Sequence, residues 1–236
     1  MGTLISGFWV SSFIGKAIVL VQIAGSVILL AVVLGKIRAF AAVRASTRRI
    51  GHDIMGGEDS LSYYLARHHS SGSAIENIYT ACCDRLFNLL SPEKRRAIAA
   101  STVAQNEPAA LTRHEMNLVQ SICDQKLDDE EIALERGMGI VTSIVALAPM
   151  LGLLGTVWGV LDAFAAIGET GSASIANMAP AISSALVTTV VGLLVAIPGV
   201  VMDSVLRARM RKIMSDLEGF ADDLMGRIAL EYQGRN

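Results

Sequence analysis

The sequence predicts an all-α membrane protein with three transmembrane helices and long helices extending from them into the cytoplasm. Three observations predict it. The 236 residues are 52% hydrophobic, with a mean hydropathy of +0.49. Three apolar runs each have about the 20 residues that a helix needs to cross a bilayer's hydrocarbon core. The charged residues are gathered between those runs, so membrane spans alternate with water-facing segments.

Residues 1–16 form an N-terminal segment. Its FWVSSFIGK, with Phe8, Trp9 and Phe13, suits a stretch lying in the membrane interface. Residues 17–35, AIVLVQIAGSVILLAVVLG, are the first span. Lys16 before it is a feature of signal peptides. However, the run is long, and Lys36, Arg38, Arg44, Arg48 and Arg49 follow directly, which marks an uncleaved anchor with its basic flank in the cytoplasm. Gln22 inside the span reads as a helix-contact or water-facing residue.

Residues 36–136 read as a cytoplasmic helical domain. Gly- and Ser-rich stretches at Gly51–Ser60 and His69–Ser73 mark loops. Ser91-Pro92-Glu93 reads as a helix start, with serine at the N-cap and proline at the first helical position. From Leu111 the apolar positions Leu118, Ile122, Leu127, Ile132 and Leu134 predict one long helix running unbroken into the second span. Asp124, Asp128, Asp129, Glu130, Glu131 and Glu135 give it an acidic, solvated flank.

Residues 137–167 and 179–202 are the second and third spans, separated by a short turn at 168–178. Lipid tolerates only segments that satisfy their own backbone hydrogen bonds, so the two form an antiparallel helical hairpin. Residues 203–236 continue as an amphipathic cytoplasmic helix, with Val205, Met210, Ile213, Leu217, Phe220, Leu224 and Ile228 on one side. Such a face needs a partner, from the middle helices or from a neighbouring subunit.

Basic residues fix the orientation. They follow the first span, and Arg207, Arg209, Arg211 and Lys212 follow the third, while Glu169–Asn177 contains no Lys or Arg. The positive-inside rule then puts the N-terminus outside and the C-terminus inside.

The small residues of the hairpin carry the functional information. Pro149, Gly152, Thr156, Gly159 and Ala163 share one helical face, and Ala185, Thr189, Gly192, Ala196 and Gly199 share another. Each face has one threonine, roughly a dozen residues or about 18 Å in from the polar break. Two readings stand at this point. The faces are packing seams of the small-xxx-small kind, with each threonine bonded to its own backbone. Alternatively, they line a narrow polar path whose hydroxyls hold water or pass protons.

Other chemistries lack support. No Walker loop, GxGxxG, GxSxG or HExxH is present, so no enzyme and no cofactor is expected. Cys82, Cys83 and Cys123 show no metal spacing and read as reduced structural thiols, and His52, His68, His69 and His114 are scattered, so no metal is expected. A net charge of -2 gives no case for nucleic acid. Asp162 is the one carboxylate near the membrane portion of the second span, a functional candidate or a water-facing residue at the outer mouth.

APMLGLLGTVWGVLDAF and AISSALVTTVVGLLVAIPGVV together resemble the signature hairpin of the MotA/TolQ/ExbB proton-channel family. The likeness is strong over residues 134–208. SSFIGKAIVLVQIAGSVILL and DLEGFADDLMGRI also resemble the first span and last helix of the three-span TolQ and ExbB branches. The resemblance implies a homo-oligomeric ring, expected to be a pentamer, in the bacterial inner membrane. Its second and third spans would line a channel through which a dimer of a single-span TolR- or ExbD-type partner threads. The partner's aspartate would carry protons, and the gradient would drive work on the cell envelope. Thr156 falls on the threonine of the family's GTxxG motif and Thr189 on its third-span threonine, which favours the proton path over simple packing. Ser184 stands where TolQ and ExbB place a glutamate. Three readings follow: the glutamate is dispensable, Asp162 takes over part of its role, or this is a branch with different coupling. The proton pathway is thus expected at Thr156, Thr189, Ser184 and Asp162, with Pro149, Gly152, Gly159, Ala185 and Gly192 lining or packing it. The competing class is a non-conducting membrane scaffold that assembles through the same small-residue faces.

Overall fold

The computed structural model describes residues 13–55, 61, 64, 72–90, 92, 95, 111–170 and 175–232. Five α-helices account for nearly all of them: α1 Phe13–Met55, α2 Ala74–Leu89, α3 Arg113–Glu135, α4 Met138–Thr170 and α5 Ile175–Tyr232. Three stretches within α1, α3–α4 and α5 are long and apolar enough to cross a membrane. Phe8, Trp9, Ser91, Glu93 and most of the two expected Gly/Ser loops lie outside the described residues, and so do residues 171–174 of the turn.

The described residues divide into two compact units. The first takes in residues up to 37 together with 137–207. Its interior mixes small and polar side chains with aliphatic ones such as Leu29, Val33 and Val141. Small and polar side chains are inside: Gln22 of α1, Ala148 and Ala163 of α4, and Ser184, Ala185 and Thr188 of α5 are all buried. Large apolar side chains face out, among them Leu20, Ile28, Leu153, Phe164, Leu186 and Ile197. An outward surface of this kind is stable against lipid or another protein's apolar face, not against water. Small residues inside let helix backbones approach where no hydrophobic effect drives them together.

The second unit comprises residues 38–136 and 208–236 and has an ordinary apolar core. Phe40 and Ile54 of α1, Ile78 and Leu86 of α2, Val119 of α3 and Leu217, Leu224 and Ile228 of α5 are buried in it. Thr112 caps α3 with a reciprocal box: its hydroxyl accepts from Glu115 N–H, and the Glu115 carboxylate accepts from Thr112 N–H. The chain is closed near its end by Leu111 N–H donating to Tyr232 O at 2.7 Å. Asn77 Nδ2 donates to Glu130 Oε1 at 2.8 Å, tying α2 to α3.

Several expectations need correction. The single helix from Leu111 into the second span is broken at Arg136–Gly137, where Gly137 adopts φ +88°. Glycine reaches this left-handed region without steric penalty and so ends helices. The buried residues of α3 are Met116, Val119, Cys123 and Leu134, so of the expected apolar positions Leu134 is buried, while Ile132 is 69% exposed. Met116, Val119 and Cys123 follow steps of three and four, and Leu118, Ile122 and Leu127 are half-buried beside them. Residues 51–55, expected in a loop, are the last turn of α1. The third apolar helix begins at Ile175, before the expected end of the turn, and, as expected, passes Asp203 unbroken to Tyr232. Along it Met210, Ile213, Leu217, Phe220, Leu224 and Ile228 are buried as the amphipathic pattern implies, but Val205 is exposed.

Candidate functional site

The glycines of α4 and the threonines of α5 meet in one seam. A Cβ on Gly152 would stand 2.9 Å from Thr189 Cα, and one on Gly159 would stand 2.5 Å from Ala185 Cβ. A Cβ on Gly155 would overlap the Thr188 side chain. Real side-chain atoms do not approach so closely, so the helix separation here is set by hydrogen atoms in place of methyl groups.

That proximity exposes backbone carbonyls to side-chain donors. Thr189 Oγ1 donates to Gly152 O at 2.9 Å. Thr188 Oγ1 lies 2.6 Å from Ala185 O and 3.2 Å from the same Gly152 O. Gln22, on α1, reaches the seam from the side. Its Nε2 donates to Ala148 O at 3.2 Å and to Thr188 O at 3.3 Å. Each of these carbonyls precedes a glycine by four residues, Gly152 and Gly192 respectively. In a helix the side chain at i+4 normally covers the carbonyl of i, and glycine leaves it open. A Cβ on Gly192 would lie 2.5 Å from Ala148 O and 2.9 Å from Gln22 Nε2. Gln22 is only 2% exposed, and its Oε1 accepts no hydrogen bond among the described residues.

The residues singled out from the sequence fall in different places. Gly152, Gly159, Ala185, Thr189 and Gly192 lie in the seam within one chain. Within the single chain, the missing methyl groups of the glycines are matched by residues of the neighbouring helix. Pro149 is half-buried inside α4, where its ring removes one intrahelical hydrogen bond. Thr156 is half-buried, and its Oγ1 donates to Leu153 O of its own helix at 2.7 Å. Ser184 is buried on α5 one turn before Thr188. Asp162 is half-buried, and its Oδ2 is shut away from solvent with no hydrogen-bond partner among the described residues.

Sequence reasoning gave little weight to Gln22, Thr188 and Gly155. The signal for Thr188 was present in the Thr188-Thr189 doublet, whose two hydroxyls both approach Gly152 O. For Gln22 the signal was the pair of glycines four residues beyond the carbonyls it uses, which cannot be recognised until the helices are docked.

Chemically, Thr156 and Thr189 have their protons committed to carbonyl oxygens, while the lone pairs of each hydroxyl remain available to accept. A second cluster ties α4 to α5 further along. Arg207 Nη2 donates to Thr142 Oγ1 at 2.6 Å and Arg207 Nε to Asp203 Oδ2 at 3.0 Å. This cluster is a positioning feature and brings no further group into the seam.

Comparison with known proteins identifies the hairpin. A model of the MotA/TolQ/ExbB proton channel family matches residues 92–219, more than half of the chain. The Tol-Pal system protein TolQ of Haemophilus influenzae is 26% identical over 220 residues, covering 92% of this chain and 89% of its own. The biopolymer transport protein ExbB of Xanthomonas campestris is 40% identical over 100 residues, 42% of this chain and 40% of its own. ExbB of Neisseria gonorrhoeae is 45% identical over 92 residues, 39% of this chain and 42% of its own. The likeness to the ExbB proteins thus covers less than half of their length, and the likeness to TolQ covers most of it. With the matched region spanning both apolar helices and the seam between them, the chain belongs to the MotA/TolQ/ExbB proton channel family.

Proposed function

We propose that this chain is the ring-forming stator subunit of a TolQ–TolR or ExbB–ExbD type complex in the bacterial inner membrane, converting the proton gradient into work on the cell envelope. The observation that carries the reading is the family match across the hairpin that holds Thr156 and Thr189. In this reading the N-terminus is outside and several copies surround the single span of a partner carrying an aspartate. The hydroxyls supply the polar lining. Each can accept the O–H of a neutral carboxylic acid while its own proton stays on Leu153 O or Gly152 O. When the acid ionises, a rotation of the O–H about the Cβ–Oγ bond turns the hydroxyl into a donor and lowers the cost of holding the charge in a dry site. The chain supplies no acid that does this by itself at the threonine level, so the titrating group comes from the partner. Ser184 and Asp162 extend the polar path toward the turn between α4 and α5.

A second reading is favoured by one observation: both threonines are already bonded to carbonyls of their own chain, as in a packed scaffold that conducts nothing. Co-expression with a single-span TolR- or ExbD-type partner separates the two. Thr156→Val and Thr189→Val should each abolish dye-detected proton uptake by vesicles while the complex still assembles. Unchanged uptake in both variants would leave the scaffold reading standing.

A further inference from the structure

We propose that the groove between Phe40–Ala45 of α1 and Arg209–Ile213 of α5 binds the phosphate of an anionic membrane phospholipid. The groove is a cavity of about 460 Å³ lined by Phe40, Ala41, Arg44, Ala45, Arg209, Lys212 and Ile213. Three of these carry positive charge and none carries negative charge. None of the three makes an ion pair or hydrogen bond with another described residue, whereas Arg207 is paired with Asp203 and Arg227 with Glu231 on the same helix. Cations converging on one cavity repel one another unless an anion neutralises them, and guanidinium groups match phosphate oxygens in a two-pronged geometry.

Position along the helices selects a lipid as the source of the phosphate. On α5, Arg209 and Lys212 follow Val205, the last large apolar side chain exposed before them, by four and seven residues. On α1, Arg44 follows Leu34, the corresponding residue of that helix, by ten residues. At 1.5 Å per residue these charges stand roughly 6–15 Å beyond the apolar belts, at or just past the headgroup layer of a bilayer. Phe40 and Ile213, both buried, give the cavity an apolar wall beside its charges. A phosphodiester with glycerol and acyl carbons attached fits that mixture, and basic pockets between helices next to the membrane suit such headgroups. The site involves neither the glycine seam nor the threonines, so it stands or falls independently of ion conduction.

The test is native mass spectrometry of the full detergent-solubilised protein exchanged against phosphatidylglycerol, phosphatidylcholine or inorganic phosphate. The parent should retain phosphatidylglycerol over phosphatidylcholine by at least about tenfold, and millimolar phosphate should not displace it. Arg44→Gln, Arg209→Gln and Lys212→Gln together should weaken retention by ~100-fold, at roughly 1 kcal/mol per lost charge. Arg211→Gln, on the same helix but outside the cavity, should change little. Ala45→Phe, which fills the groove and keeps its charge, should also reduce retention. Equal binding of the two lipids, undiminished binding in the triple variant, or undiminished binding in Ala45→Phe would overturn the proposal. Displacement by inorganic phosphate would overturn the lipid as the source.

Discussion

Gln22 occupies the space that a side chain at Gly192 would take: its Nε2 lies 2.9 Å from the position of the missing Cβ. The glutamine on the first apolar helix and the glycine on the third therefore have to be considered together. Gly192→Ala should push the amide off Ala148 O and separate α4 from α5. Overpacking of this kind typically costs about 1–3 kcal/mol. Thermal unfolding of the purified protein in detergent should show it, and Gly139→Ala, where a Cβ meets nothing within 4 Å, should not.

The reverse change should be milder. Gln22→Leu removes two hydrogen bonds but also removes the unsatisfied Oε1. Hydrogen bonds between membrane helices average only about 0.6 kcal/mol, and Ala148 O and Thr188 O both stay within their helices. A loss of about 1 kcal/mol is expected, smaller than that of Gly192→Ala. A larger loss for the leucine would mean that Gln22 holds the three helices together more than the glycine contacts do.

These two residues also show what the sequence discloses. The apolar lengths of α1, α4 and α5 were readable because a membrane imposes a length on any helix that crosses it. The small faces were readable because Gly152, Gly159, Ala185 and Gly192 repeat at helical steps. Their partners were not, since steps along one helix do not say which face of another helix they meet. Thr188 and Gly155 sit opposite each other only after α4 and α5 take a definite register. The face of α3 was only partly legible for a related reason. Its buried stripe of Met116, Val119 and Cys123 competes with larger aliphatic residues one position away, and local hydrophobicity cannot choose between adjacent stripes.

Acidification should loosen the start of α3. The Thr112 N–H and hydroxyl bonds hold the Glu115 carboxyl below its ordinary value. A carboxyl with a lowered folded-state pKa stabilises fully above the unfolded value, about 4.3, and loses that contribution as pH falls through the folded one. Backbone chemical shifts of residues 112–116 should therefore move toward unfolded values only below about pH 4. Glu115→Gln should remove the pH step, and Thr112→Ala should fray the turn at every pH by about 1 kcal/mol.

The three cysteines should be silent toward thiol reagents in the folded protein. Cys82, Cys83 and Cys123 form no disulfide and are fully buried on α2 and α3. The hydrogen bond that Cys82 shares with Cys123, followed by burial, pushes the Cys82 thiol well above its ordinary range. Since the thiolate is the reactive form, maleimide labelling should require unfolding of α2 and α3 and follow their opening rate. Rapid labelling of Cys82 in the native protein would contradict the packing between these helices.

Asp162 offers the most direct separation of stability from function. Its Oδ2 is buried without a hydrogen-bond partner among the described residues, an arrangement that costs folding free energy. Asp162→Asn keeps the shape and removes the charge, so the variant should be at least as stable as the parent in thermal unfolding. If the carboxyl takes part in the proton path, the same variant should lose at least about tenfold in gradient-driven proton uptake, since that requires about 1.4 kcal/mol of added barrier. A residue retained at a cost to stability and needed for flux is a functional group. A variant that gains stability and loses no flux would instead make Asp162 a water-facing residue at the mouth, and would leave the hydroxyls of Thr156, Thr189 and Ser184 as the chain's contribution to the path.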